Sequence, residues 1–107
     1  MKIVEYVDEA GHSPFGRWFG LLDPRAAAKV TTALARLEAG NHSSVKGIGH
    51  GLHECRIDWG PGYRLYFGID GGRLVILLAG GTKHRQQRDI KNAFERWQDY
   101  RARKRRP

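Results

Sequence analysis

Between Thr82 and Arg88 the chain reads TKHRQQR, and Lys83-His84-Arg85 sets three basic side chains in a row. An imidazole, with an unperturbed pKa of about 6.5, transfers protons near neutrality. Guanidinium and ammonium groups hold phosphate oxygens. The cluster follows the apolar run Leu77-Leu78-Ala79, closed by Gly80-Gly81, so it falls where a buried strand gives way to a last helix beginning near Thr82. The first turn of a helix already presents free N–H groups and usually carries acids. Three basic groups there are electrostatically unfavourable until an anion arrives, so the expectation is an anion site.

A second set of candidates comes from Leu52–Trp59 and Tyr63–Ile69, two strand-like runs joined by Gly60-Pro61-Gly62. Alternation sends Cys55 and Ile57 to one face and Glu54, Arg56 and Asp58 to the other. In the second run Leu65, Phe67 and Ile69 oppose Arg64 and Tyr66. A turn centred near Pro61 would set Asp58 opposite Arg64, and Arg56 opposite Tyr66. That face reads either as an exposed surface laced by an Arg–Asp pair or as a further wall of the anion site. Lys46, beside Gly47-Ile48-Gly49-His50-Gly51, is likewise an exposed loop lysine or a mobile phosphate contact. The glycine stretch lacks the Lys-Ser/Thr of a phosphate loop. His50, His53 and Cys55 do not make a metal site, because Cys55 faces the core and no second cysteine exists. No metal or cofactor is expected.

The elements that must position these residues follow from the same pattern. Lys2–Val7 reads as a strand. Ser13-Pro14 and Asp23-Pro24 are cap-plus-proline helix starts. Phe15, Trp18, Phe19 and Leu22 mark one face of a first helix, and Ala27, Val30, Leu34 and Leu37 one face of a second ending at Gly40. Asn41–Gly51 is polar and glycine-rich, hence a loop. Arg73–Ala79 is apolar on both faces, the mark of an interior strand. Ile90, Ala93, Phe94 and Trp97 give the last helix its inner face. The expected fold is α+β in the order β-α-α-β-β-β-α: a small, mostly antiparallel sheet with an N-terminal helical hairpin and a C-terminal helix.

With 107 residues, 40% of them hydrophobic, the chain suffices for one cored domain over residues 1–107. No apolar run approaches the ~20 residues of a membrane span, and acids at Glu5, Asp8 and Glu9 argue against a signal peptide. One cysteine fits a reducing compartment, so the expected location is cytoplasmic. The net charge is +8, five positives of it in the basic tail within 101–107. The segment Gly40–Arg88 is basic by itself, with seven Lys/Arg against Glu54, Asp58 and Asp70. Such a surface suits a polyanion or an acidic protein segment, and the tail fits either equally.

A basic pocket without paired carboxylates is poorly equipped for two-metal phosphodiester hydrolysis. It suits RNA cleavage in which the ribose 2′-OH attacks the neighbouring phosphate. That reaction needs a base, a proton donor for the leaving 5′-oxygen, and positive charge on the transition state. His84 and Lys83 are candidates for proton transfer, and Arg64, Arg56 and Arg85 for charge.

KGIGHGLHECRIDWGPGYRLYF, with LVILLAGGTKHRQQRDIKNAFERWQDY, resembles the RelE/ParE toxin superfamily, nearest its HigB-like addiction-module killers. The resemblance covers nearly the whole chain. It implies a type II toxin that cuts mRNA on the ribosome, leaving a 2′,3′-cyclic phosphate and inhibiting translation. It further implies a cognate antitoxin, with a helix-turn-helix pattern, encoded by an adjacent gene. On this resemblance Arg64 is the central phosphate-binding arginine, and Lys83, His84 and Arg85 supply further catalytic groups. Arg56, Lys46 and Tyr66 fall to substrate binding, Arg56 with a structural role as its alternative. Gln86, Gln87 and Arg88 stand where RelE has a catalytic tyrosine, which passes proton transfer to His84. A ParE-like gyrase inhibitor without RNase activity is the alternative within the same superfamily.

Overall fold

A computed structural model describes residues 1–106; the tail's last residue, Pro107, lies outside them. The elements are β1 (Lys2–Glu5), α1 (Pro14–Gly20), α2 (Pro24–Glu38), β2 (Val45–Gly49), β3 (Leu52–Ile57), β4 (Tyr63–Asp70), β5 (Leu74–Thr82) and α3 (Gln86–Lys104). A 3₁₀ turn, Lys83–Arg85, joins β5 to α3. The strands form one sheet in the order β1-β5-β4-β3-β2, antiparallel except for β1 beside β5. The α+β architecture and its element order are as expected, with one strand added.

The helix starts follow their local chemistry. Ser13 Oγ accepts from Gly16 N at 2.9 Å and Asp23 Oδ1 from Ala26 N at 3.0 Å, each followed by proline at the first helical position. At the end of α2, Gly40 has φ +88° and donates to Leu37 O, while Asn41 N donates to Arg36 O. That is a Schellman close, which needs a residue tolerant of left-handed backbone.

Helices cover both faces of the sheet. Phe15, Val30 and Leu37 of α1 and α2 pack on Cys55, Leu65, Phe67, Val75 and Leu77. Ala93 and Trp97 of α3 pack on Leu52, Tyr66, Ile76 and Leu78. The alternation Val75/Ile76/Leu77/Leu78 thus feeds two cores, which is why this strand is apolar throughout.

Two boundaries differ from expectation. Residues 41–51 are not all loop: β2 pairs antiparallel with β3, Lys46 opposite Glu54. Gly47 and Gly49 mask its strand pattern, and a short edge strand carrying lysine needs only half its face buried. β5 runs on to Thr82 instead of stopping at Ala79. Gly80 and Gly81 are extended residues inside the strand, present because neighbours leave no room for a Cβ. One placed on Gly80 would strike the Trp18 ring, and one on Gly81 the Asp89 carboxylate.

The C-terminal half of α3 is tied to the sheet by carboxylates. Asp70 accepts from Tyr100 Oη at 2.7 Å and Lys104 Nζ at 2.6 Å. Asp99 accepts from Tyr6 Oη at 2.6 Å and pairs with Arg103 Nη2 at 2.7 Å. The Lys104 and Tyr100 bonds hold Asp70 below the usual carboxylate range, and the Tyr6 and Arg103 bonds do so for Asp99. A depressed carboxylate stabilises the fold fully above its unfolded pKa, about 3.9, and loses that contribution as pH falls through the lower folded value. Amide exchange over residues 99–104 is therefore expected to accelerate below about pH 4, before the α2 amides respond; simultaneous loss would contradict a local tether. No helix among the described residues is long and apolar enough to cross a membrane.

Candidate functional site

The β3–β4 ladder sets Arg56 opposite Arg64, Glu54 opposite Tyr66 and Ile57 opposite Tyr63. The expected pairings of Asp58 with Arg64 and Arg56 with Tyr66 are displaced by two residues. The connection turns about Gly60 instead of Pro61, with Gly60 and Gly62 both at positive φ. A two-residue slip keeps every side chain on its face, so hydrophobic alternation does not forbid it. The carboxylate beside Arg64 is consequently Glu54. Asp58 stands at the surface, its Oδ1 3.7 Å from Arg56 Nε, a separation that contributes little in water.

Glu54 is 1% exposed and central. Its Oε1 lies 3.6 Å from Arg64 Nη1 and 3.9 Å from Lys46 Nζ, and its Oε2 accepts from Gln86 Nε2 at 3.0 Å. Arg64 is 6% exposed, yet its Nε and Nη1 have no hydrogen-bond partner. Arg64 and Glu54 thus attract one another without exchanging a hydrogen bond, and the guanidinium keeps unspent donors in a place where unpaired polar groups are costly. The Lys46 side chain, 64% exposed, forms the rim.

Tyr66, expected at the substrate, is wholly buried under α3, and its hydroxyl has no partner. Burial first, then the Glu54 and Asp89 carboxylates, push its phenol far above the ordinary tyrosine range. It packs in the core and presents nothing to a ligand at the surface.

Lys83, His84 and Arg85 are all exposed and form the 3₁₀ turn, not the first turn of α3. α3 begins at Gln86, and Thr82 caps nothing with its side chain. The turn runs directly into α3, with Arg85 as its N-cap, so the three basic groups still stand at the positive end of the α3 dipole, one turn further out than expected. Their position in the sheet also matters. Arg64 pairs with Gly81 and Tyr63 with Thr82, so the turn leaves the sheet beside Arg64. Lys83 sits against the β3–β4 turn, its Cβ 3.8 Å from where a Cβ on Gly62 would be. The fold therefore brings Lys46, Arg64 and Gln86 around Glu54, with Lys83 and His84 on the adjoining surface. Arg85 lines a separate cleft with Asp89 and Arg96. Arg56 stays exposed next to Asp58.

Sequence reasoning passed over Glu54, Gln86 and Asp89. Glu54 was on the correct face and needed only the register. Asp89 had a direct signal: it stands four and eight residues before Ala93 and Trp97, on the buried stripe of α3. Its Oδ2 is buried without a partner, and burial raises its pKa despite Arg85, Arg96 and Arg88 nearby.

The family model for "Phage derived protein Gp49-like (DUF891)" matches residues 17–98. An uncharacterised protein of Haemophilus influenzae is 45% identical over 80 residues, covering 74% of this chain and 81% of the relative. The match runs from α1 into α3 and takes in nearly all of Lys46–Tyr100, where the RelE/ParE resemblance is strongest; it corrects that assignment, because the Gp49-like family is a distinct one. Its members are often associated with toxin–antitoxin modules. On a match covering most of its length, this chain belongs to the Gp49-like family of phage-derived proteins.

Proposed function

We propose that the protein is the toxin of a toxin–antitoxin module and an endoribonuclease that cuts mRNA on the ribosome without a metal. The observation that carries this reading is Arg64, a buried arginine with two N–H groups unspent, which shares the Glu54 carboxylate with Lys46. A phosphate oxygen is the acceptor such a fork fits. Because Arg64 is 6% exposed, the phosphate reaches it as Gln86 and Lys46 draw back from Glu54. Glu54 acts as the positioning residue that aims the guanidinium.

In the reaction the 2′-oxygen forms a bond to phosphorus as its proton passes to a base, and the P–O5′ bond breaks. The 5′-oxygen takes a proton, leaving a 2′,3′-cyclic phosphate and a 5′-hydroxyl. In this reading His84 and Lys83, both exposed on the 3₁₀ turn, move those protons. The partners of this reading are the ribosome, mRNA and an antitoxin from an adjacent gene; it operates in the cytoplasm.

Induced expression in a bacterial host, with mRNA ends mapped and tested for cyclic phosphate, checks the proposal. Codon-phased cuts bearing cyclic phosphate support it. Intact mRNA beside damaged DNA and arrested replication would overturn it in favour of gyrase inhibition. His84→Gln is expected to slow single-turnover cleavage by about 10²-fold, and an unchanged rate assigns the proton to Lys83.

A further inference from the structure

β1 accompanies β5 only as far as Leu77, where Tyr6 N donates to Leu77 O at 2.9 Å. Beyond it, among the described residues, no strand covers that edge of β5. Ala79–Thr82 instead face a cleft of about 280 Å³ between α1 and α3. Trp18 forms one wall, its indole pressed on the bare backbone of Gly80. Asp89 forms another, seated over Gly81, with Asn92, Arg85 and Arg96 around it. Arg96 is held in place by donating from Nη1 to Leu78 O at 2.8 Å.

Asp89 is 8% exposed, lines this cleft, and has Oδ2 buried without any partner. A carboxylate deprived of water and given no donor is unfavourable. Gly81 is the residue that makes room for it, since any Cβ there would collide with the carboxylate. Two structural concessions therefore maintain one unsatisfied acceptor in a cleft with an aromatic wall and cationic donors at its rim.

We infer that this cleft is a nucleobase subsite selective for guanine, with Asp89 as the residue that reads the base. Guanine offers two N–H donors, N1–H and the N2 amino group, side by side on its Watson–Crick edge, and one carboxylate accepts both. Its O6 and N7 accept from Arg85, as arginine forks do to guanine elsewhere. Trp18 provides the flat apolar wall on which an unstacked base packs. Adenine sets an acceptor, N1, against the carboxylate beside its single amino donor; uracil offers one donor between two carbonyls. Cytosine also has only one amino donor next to a bare ring nitrogen. The inference deepens the RNA-cleaving reading and rests on it for its biological use, since Arg85 belongs both to this cleft and to the turn bearing Lys83 and His84.

The test titrates the whole wild-type protein with the four nucleoside 3′-monophosphates, following backbone amides by NMR. Guanosine 3′-monophosphate is expected to shift Gly80, Gly81, Asp89 and Asn92 and to bind roughly tenfold or more tightly than the other three. Asp89→Asn is expected to reduce that preference to near parity, and in RNA cleavage to flatten the ratio of cuts beside guanine to cuts elsewhere. Equal binding of all four nucleotides, or shifts confined to other surfaces, overturns the inference. No response to any nucleotide overturns it too, and leaves the open β5 edge to a protein strand. The wild-type comparison holds even if the variant fails to fold. Guanine-selective shifts in a protein that cuts no RNA would retain the subsite and remove the nuclease; cleavage without base preference would do the reverse.

Discussion

Arg64→Ala is expected to lower single-turnover RNA cleavage by roughly 10²- to 10³-fold, the usual consequence of deleting one donor to a developing oxyanion. The substitution also acts on the fold. Glu54, 1% exposed, would keep only Gln86 at 3.0 Å and Lys46 at 3.9 Å. Removing one partner of a buried ion pair destabilises by about 3–5 kcal/mol, so lost activity alone would be ambiguous. Two companions resolve it. Arg64→Lys keeps a cation near Glu54 and loses the planar fork, which lysine cannot replace. Glu54→Gln added to Arg64→Ala removes the stranded charge, and denaturant unfolding should show stability recovered while cleavage stays low. Cleavage at the wild-type rate in either folded variant would remove Arg64 from the reaction.

Gly68→Ala should strongly destabilise the β-sheet. A Cβ at Gly68 would lie 2.5–2.6 Å from Cε3, Cζ3 and Cη2 of Trp97. At its other end the indole Nε1 lies close over Gly51, where a Cβ would be 2.9 Å from it. Trp97 is 7% exposed and packs with Tyr66, Leu52 and Ala93. Overpacking of this kind costs about 1–3 kcal/mol, and more where the neighbour is confined. At roughly 4–8 °C per kcal/mol for a domain of this size, thermal unfolding should drop by about 4–24 °C. Combining Gly68→Ala with Trp97→Leu should cost less than the sum of the two, as expected of residues competing for one space. Strict additivity would show that the clash is relieved elsewhere.

Both predictions turn on contacts that join distant parts of the chain, and these were the least legible. The helix starts at Ser13-Pro14 and Asp23-Pro24 were readable because capping is settled within four residues. The apolar stripe of α3 and the two-sided burial of β5 were readable because periodicity reports burial directly. The register of β3 against β4 was not, since a slip of two residues leaves every side chain on its face and changes only its partners. That slip decides whether Arg64 meets exposed Asp58 or buried Glu54. Gly80 and Gly81 read as a strand end, because glycine usually marks one; their reason is Trp18, 62 residues before Gly80, and Asp89, 8 residues after Gly81. The segments from Lys46 to Tyr100 resemble RelE/ParE toxins, whereas the Gp49-like family model matches residues 17–98.

Residue order alone therefore established the α+β class, the helix boundaries set by caps, the two apolar faces and the basic middle of the chain. Each is a property of neighbours a few positions apart, or of composition. Tertiary structure decided which carboxylate accompanies Arg64, that Tyr66 is core, and that Lys83–Arg85 form a separate turn. It also opened the cleft holding Asp89, where β1 ends and β5 continues. Those outcomes depend on strand register and on where one element stops against another, and many sequences of the same local pattern are compatible with more than one answer.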